Sequence, residues 1–129
     1  MSKKVISVKS VPAVGPYSHA VEAGGLVFCS GQIPVDPQTG ALVSEDISQA
    51  TRQLLDNMTS VLAEAGLELE DVVKTTIYLV DMQDFAAVNE IYGLYFKTDH
   101  PARATVQVAA LPRGARIEMD AVAVRPTSC

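Results

Sequence analysis

The sequence is poor in the residues that mark several specialised classes of protein. Its 129 residues include only two cysteines, Cys29 and Cys129, and two histidines, His19 and His100, at scattered positions. Two cysteines are too few for a disulfide framework, and the spacing of the cysteines and histidines does not match a zinc site. No apolar run approaches the roughly 18 residues that a membrane-spanning helix needs. We therefore expect a reducing compartment, no metal and no membrane segment.

Positive charge is also scarce. Ten Lys and Arg stand against 15 Asp and Glu, which gives a formal net charge of −5 at pH 7. A dedicated nucleic-acid binder normally carries a basic face, so this balance argues against nucleic acid as the main partner. The first seven residues carry two lysines but no apolar stretch, so no secretory signal is expected. A cytoplasmic location is the expectation, and the sequence does not separate it from a mitochondrial one.

The chain does have enough apolar residues for one folded domain over 1–129. Hydrophobic residues make up 48% of it and charged residues 19%, unlike a disordered chain. Two helices are predicted, one from a cap at Asp46 to a stop at Gly66 and one beginning at a cap at Asp84. Strands are predicted at 17–22, 26–29, 72–80, 105–109 and 116–124, with an optional strand before the first helix. This order predicts an α+β fold, in which two helices cover one face of a single mixed sheet.

The last predicted strand, 116–124, is partly apolar on both sides. One side is fully apolar, whereas Val122 and Val124 share the other side with Glu118 and Asp120. Two helices can cover only one face of the sheet. The half-apolar face that remains predicts a contact between subunits.

Two charged residues occupy positions that favour chemistry, although each also has a structural interpretation. Arg103 lies between a break at Pro101 and a strand, where its planar fork of donors can hold a carboxylate. It could equally be a surface arginine or pair with Asp99 or Glu118. Glu118 lies in mid-strand. In a cleft, burial would raise its pKa and make it a base toward water, whereas on an open face it would be solvated.

Four further residues are weaker candidates, and the usual nucleophile and phosphate-binding motifs are absent. Ser30 could supply a hydroxyl and Gly31 an exposed backbone N–H or C=O, and Tyr17 is a further weak candidate. Asn89 is a polar residue beside the apolar stripe of the second helix, and a buried amide needs partners. Cys29 lies in an apolar run, where a thiol is usually inert packing.

Several blocks, in this order, resemble the reactive intermediate deaminase family (RidA, also called YjgF). The blocks are AVGPYSHA at 13–20, CSGQIP at 29–34, VKTTIYL at 73–79, FAAVNEIY at 85–92, PAR at 101–103 and VAALPRGARIE at 108–118. The resemblance runs nearly end to end. It implies a chorismate-mutase-like fold and a homotrimer with active sites between adjacent subunits. It also implies cofactor-free hydrolysis of reactive 2-imino acids, such as 2-aminoacrylate and 2-iminobutanoate, to 2-keto acids and ammonia.

The resemblance also implies roles for individual residues. Arg103 corresponds to the residue that binds the substrate carboxylate, and Glu118 to the acid linked to the attacking water. The positions that line the cleft correspond to Tyr17, Ser30, Gly31 and Asn89. Thr105 stands at a pocket position where relatives often carry Cys, and His100 stands where an aromatic such as Phe is common. These two departures bear on the size and polarity of the pocket.

Two other functions stay open from the sequence. One is an endoribonuclease or translation inhibitor, a role also attached to the family, which predicts RNA binding with a steep dependence on salt. The acidic balance and the lack of a histidine pair argue against it. The other is a non-catalytic protein that binds small ligands or acts like a chaperone. It predicts ligand binding without release of ammonia.

Overall fold

The computed structural model describes residues 2–11, 13 and 15–127. Within them the elements are β1 (Lys4–Ile6), β2 (Ala20–Ala23), β3 (Leu26–Gln32), α1 (Ile47–Glu64), β4 (Val72–Leu79), α2 (Phe85–Tyr95), β5 (Ala102–Gln107) and β6 (Ile117–Val124). The strands form one sheet in the order β1-β2-β3-β6-β4-β5. Only the β4–β5 pair is parallel, so the sheet is mixed and the predicted α+β class is confirmed.

Helix α1 forms where it was predicted because both of its ends are marked. The Asp46 carboxylate accepts hydrogen bonds from the backbone N–H groups of Ser48 (2.8 Å) and Gln49 (3.3 Å). Gly66 follows the helix with φ of 75°, which glycine adopts without strain. The face between these ends is buried in the core and consists mainly of Ala50, Leu54, Leu55, Met58, Val61 and Leu62. None of the helices in the described residues is long and apolar enough to cross a bilayer.

Helix α2 begins at the predicted place for a different reason. Asp84 does not cap it with its side chain, so that prediction was wrong. Its two carboxylate oxygens instead accept hydrogen bonds from Nη2 of Arg116, at 2.9 and 3.0 Å, and this charge-assisted pair is stronger than a cap. The cap lies one turn earlier, where the Asp81 carboxylate accepts from the N–H of Gln83 at 2.9 Å. A 3₁₀ turn over Met82–Asp84 then runs directly into α2.

β1 and β5 differ from their predictions, and β2 begins at Ala20 and not at residue 17. β1 was not predicted at all, because three residues at the edge of a sheet carry no readable alternation. β5 covers Ala102–Gln107, whereas 105–109 was predicted. It begins directly after Pro101 because it pairs in parallel with β4, with Arg103 opposite Thr75.

The sheet has one covered face and one uncovered face. On β6 the residues from Ile117 to Ala123 alternate between buried core positions and the opposite side, which carries Glu118 and Asp120. No helix in the described ranges covers that side. Its exposed apolar residues, matched by strand register, are Val5, Leu26, Phe28, Val106 and Val124. The predicted half-apolar face is present, and its use as a contact between subunits stays a prediction.

Candidate active site

One group of predicted site residues lines a cavity of about 300 Å³. Tyr17, Ser30, Gly31 and Glu118 all border it, although they come from three distant parts of the chain. Ser30 ties two of those parts together, because its Oγ donates to the Ser18 carbonyl at 2.6 Å and its N–H donates to the His19 carbonyl at 3.0 Å. We call this group the glutamate half-site. Four of the seven predicted residues therefore meet in one cavity.

Gly31 is required at its position because the side chain of Glu118 lies over its Cα. A Cβ placed on Gly31 would lie 2.9 Å from Cδ of Glu118, closer than carbon atoms pack. The pairing of β3 with β6 shifts register between Cys29 and Gln32, at the same point in the strand. The missing side chain thus makes room for the carboxylate, a reason that the sequence alone did not reveal.

The carboxylate of Glu118 sits in an environment that disfavours its charge. Burial raises its pKa, and the nearby charge of Asp120 raises the pKa further. Asp120 is itself fixed, because its Oδ2 accepts a hydrogen bond from the Tyr78 hydroxyl at 2.8 Å. Among the described residues the side-chain carboxylate of Glu118 forms no hydrogen bond or ion pair. An unpaired, partly desolvated carboxylate of this kind is suited to take a proton from water.

The remaining predicted residues lie elsewhere, around Arg103. Arg103 and Asn89 border a second hollow of about 340 Å³ together with Tyr92, Gly93, His100 and Pro101. Thr105 follows two residues further along β5, on the same face of the strand. We call Asn89, Arg103 and Thr105 the arginine half-site.

Two aromatic rings of α2 hold the guanidinium of Arg103. Its Cζ lies 4.9 Å from the ring centre of Tyr92 and 5.7 Å from that of Phe85, within range of a cation–π interaction. The Tyr92 hydroxyl shares a hydrogen bond of 2.8 Å with Oγ1 of the buried Thr75, which fixes the ring. Sequence reasoning assigned these aromatics only to the apolar stripe of the helix. Their spacing, two turns apart on one face, was the signal that could have indicated a second role.

Three polar groups of the arginine half-site lack a hydrogen-bond or ion-pair partner among the described residues. Arg103 forms neither of the ion pairs considered from the sequence, with Asp99 or with Glu118. Oδ1 of Asn89 and Oγ1 of Thr105 are buried without a hydrogen bond, which is rare in a folded protein. A ligand that brings a carboxylate to the guanidinium and donors to these two oxygens would satisfy all three.

The two half-sites lie on opposite faces of the sheet. Arg103 pairs with Thr75 and faces the helices, whereas Glu118 pairs with Tyr78 and faces the uncovered side. Their side chains therefore cannot touch the same small anion within one chain. A site that uses both must form between two copies.

Comparison with known proteins identifies the chain at the level of family. A family model described as Endoribonuclease L-PSP matches residues 8–125. The chain belongs to this family. The human protein named 2-iminobutanoate/2-iminopropanoate deaminase is 50% identical over 124 residues, covering 95% of this chain and 90% of that protein.

Two solved structures of Escherichia coli proteins are similar to this chain throughout. The YjgF gene product matches with a TM-score of 0.90 at 42% identity, over 95% of this chain and 99% of that one. TdcF with bound serine matches with a TM-score of 0.90 at 41% identity, again over 95% and 99%. The resemblance to the RidA/YjgF family read from the sequence is thus confirmed. The span matched by the Endoribonuclease L-PSP family includes all seven predicted site residues.

Cys29 and His19 of this family member have structural roles. Cys29 is buried, and burial raises the pKa of its thiol to about 11, so it is not a nucleophile near neutral pH. His19 is buried, and its Nδ1 accepts a hydrogen bond from the N–H of Val8 at 3.0 Å. Cys129 lies outside the described residues. Over 2–11, 13 and 15–127, no cluster of His, Cys, Asp and Glu has the makings of a metal site.

Proposed function

We propose that this protein hydrolyses 2-imino acids, such as 2-iminobutanoate and 2-iminopropanoate, to 2-keto acids and ammonia. The observation that carries the proposal is the pair of complementary half-sites. One holds an unpaired carboxylate of raised pKa, and the other holds an unpaired guanidinium beside two buried acceptors. A relative that is 50% identical bears the name of this activity, which also supports the proposal.

We propose further that a second copy of the chain completes each site. The uncovered face of the sheet, with Phe28, Val106 and Val124 exposed, supports association of copies through this face. The resemblance to the family gives a trimer as the expected assembly. In each site Glu118 comes from one copy and Arg103 from its neighbour.

Substrate binding falls to the arginine half-site. The guanidinium of Arg103 holds the substrate carboxylate by two parallel hydrogen bonds, and its stacking on Tyr92 keeps the fork in one plane. Oδ1 of Asn89 and Oγ1 of Thr105 accept the protons of the iminium nitrogen, which gives both buried atoms a partner. The substrate is then fixed at both ends, and attack on it resembles a reaction within one molecule.

The chemical step falls to Glu118. The carbon of a protonated imine is already electrophilic, so a positioned base gives sufficient help. Glu118 takes a proton from a water as its oxygen bonds to that carbon, and a carbinolamine forms. The carboxyl then protonates the amino group, and ammonia leaves as the C–N bond breaks. The Glu118 carboxylate takes the hydroxyl proton as the C=O bond forms and gives it to the departing ammonia, so it is ionised again for the next cycle. The proposed reaction uses no cofactor.

The proposal predicts that Arg103→Ala abolishes activity in a folded protein. Loss of the carboxylate anchor should lower kcat/KM by at least about a hundredfold, because orientation and charge pairing are lost together. A dehydratase generates 2-aminoacrylate in place, and pyruvate release is compared with and without each variant. Arg52→Ala, which removes an exposed arginine of α1 that borders neither hollow, is the matched control. Near-native turnover of Arg103→Ala, with circular dichroism unchanged, would contradict the assignment.

Cleavage of RNA is the activity in the family's description, and we do not propose it here. The net charge of −5 disfavours binding of a polyanion such as RNA. Nδ1 of His19 already accepts a hydrogen bond from the backbone N–H of Val8. A cytoplasmic location stays a prediction.

A further inference from the structure

A second arginine lines the cavity of the glutamate half-site. Arg113 borders the same space of about 300 Å³ as Glu118. Its Nη2 donates one hydrogen bond, of 3.1 Å, to the carbonyl of Gly40. A guanidinium has five N–H donors, so most of them stay available. The ion pairs within the described ranges involve only Arg116 and Arg125, so Arg113 is a cation without an acidic partner.

The backbone of Arg113 adopts a conformation that a side chain makes costly. Its φ is 59° and its ψ is 18°, in the left-handed region that residues with a Cβ rarely occupy. Gly114 follows with φ of 72°, so the turn contains two successive left-handed residues. Glycine at 113 would make the same turn without strain. Strain of this kind often accompanies a side chain that is held for function.

Both Arg113 and Glu118 line the cavity, and no ion pair joins these two described side chains. Burial and the charge of Asp120 raise the pKa of Glu118, and Arg113 is not among the groups that shift it. A cation in contact with the carboxylate would lower that pKa. The cavity has the volume of about ten water molecules, more than 2-iminobutanoate fills. There is thus room for a substrate that carries a second carboxylate at the end of its side chain.

We propose that Arg113 determines specificity by binding a second carboxylate, at the side-chain end of the substrate. The protein then takes 2-imino dicarboxylic acids, such as 2-iminosuccinate and 2-iminoglutarate, besides short aliphatic 2-imino acids. This inference rests on the proposed function. Arg103 of a neighbouring copy holds the carboxylate beside the imine, Glu118 faces the imine carbon, and Arg113 holds the distal carboxylate.

The test compares two substrates on matched variants. Amino-acid oxidases with catalase generate 2-iminosuccinate from aspartate and 2-iminobutanoate from 2-aminobutanoate. Arg113→Gly should lower kcat/KM for 2-iminosuccinate at least about tenfold and that for 2-iminobutanoate less than about threefold. Glycine is chosen because it accepts this backbone freely, so the loss reports the side chain and not a folding defect. Arg113→Lys should retain part of the preference as a point charge, and Arg52→Ala should retain all of it.

A binding measurement separates this inference from the proposed function. Calorimetry with 2-oxoglutarate, a stable dicarboxylic keto acid, and 2-oxobutanoate, a monocarboxylic one, needs no turnover. Arg113→Gly should weaken binding of 2-oxoglutarate alone. Equal losses for the two acids, or no loss of dicarboxylate binding or hydrolysis, would overturn the role of Arg113. Wild-type protein that hydrolyses neither imine yet shows the expected binding difference would overturn the proposed function and still support Arg113 as the residue that binds the distal carboxylate.

Discussion

Glu118 and its neighbours connect single residues to the pH dependence of the reaction. Burial alone would raise the pKa of this carboxylate, and the charge of Asp120 adds to it. Tyr78 keeps Asp120 in place through its hydroxyl. The sequence predicted a raised pKa only on the condition that Glu118 lay in a cleft. The hydrogen bond from Tyr78 to Asp120 required the arrangement of β4 and β6.

We predict that Asp120→Asn moves the acid limb of the pH profile to lower pH. Glu118 acts as a base only when ionised, so activity falls as the pH drops through its pKa. Removing the charge of Asp120 lowers that pKa, because one of its two causes is lost. The amide oxygen of the substituted side chain still accepts a hydrogen bond from the Tyr78 hydroxyl, so the plateau rate should change little.

The measurement for Asp120→Asn is kcat/KM for 2-iminobutanoate as a function of pH. Glu64→Gln, which removes an exposed carboxylate on α1, is the control and should leave the limb unmoved. A limb that stays in place or moves to higher pH in Asp120→Asn would contradict the electrostatic account of Glu118.

Among the helices and strands, the sequence predicted the boundaries that are set by contacts within one turn, and it missed those that are set by distant residues. Asp46 and Gly66 mark α1 because caps act within one turn. Asp84 failed as a cap because Arg116, 32 residues away, takes its carboxylate, and no local pattern encodes that pair. The start of β5 was missed for the same reason, since its parallel pairing with β4 fixes the register of Arg103. The aromatic support of Arg103 depends on that register and was missed with it.

We predict that Tyr92 positions Arg103 through both its ring and its hydroxyl. Tyr92→Phe keeps the ring and loses the bond to Thr75, which should cost about 1 kcal/mol and lower kcat/KM about fivefold. Tyr92→Leu also removes the cation–π contact and should lower it further, mainly by raising KM.

Tyr95→Phe is the control for the Tyr92 variants. It alters a hydroxyl on the same helix that bonds to Asp56 at 2.7 Å and does not contact Arg103. Steady-state kinetics should show it unchanged. A Tyr92→Leu enzyme with native KM would show that the aromatic contact does not position the guanidinium.

At the scale of the whole molecule, a single chain contains both chemical groups but not one site. The sequence indicated Arg103 and Glu118 by residue type, and the resemblance assigned them to one cleft. Alternation along β5 and β6 sends them to opposite faces, which follows only once Arg103 is paired with Thr75 and Glu118 with Tyr78. The apolar residues left on the uncovered face support association of copies. We therefore assign the proposed function to the assembly and not to the single chain.

Mixing two inactive variants tests whether each active site is shared between two copies of the chain. Arg103→Ala keeps Glu118, and Glu118→Gln keeps Arg103, so an intact pair forms only where the two variants adjoin. Mixed trimers of differently tagged chains are purified through both tags. They should recover about a third of wild-type activity, because a single interface in each mixed trimer then holds an intact pair of Glu118 and Arg103. Each variant assembled with itself stays inactive. Mixed oligomers no more active than either parent would contradict a site shared between copies.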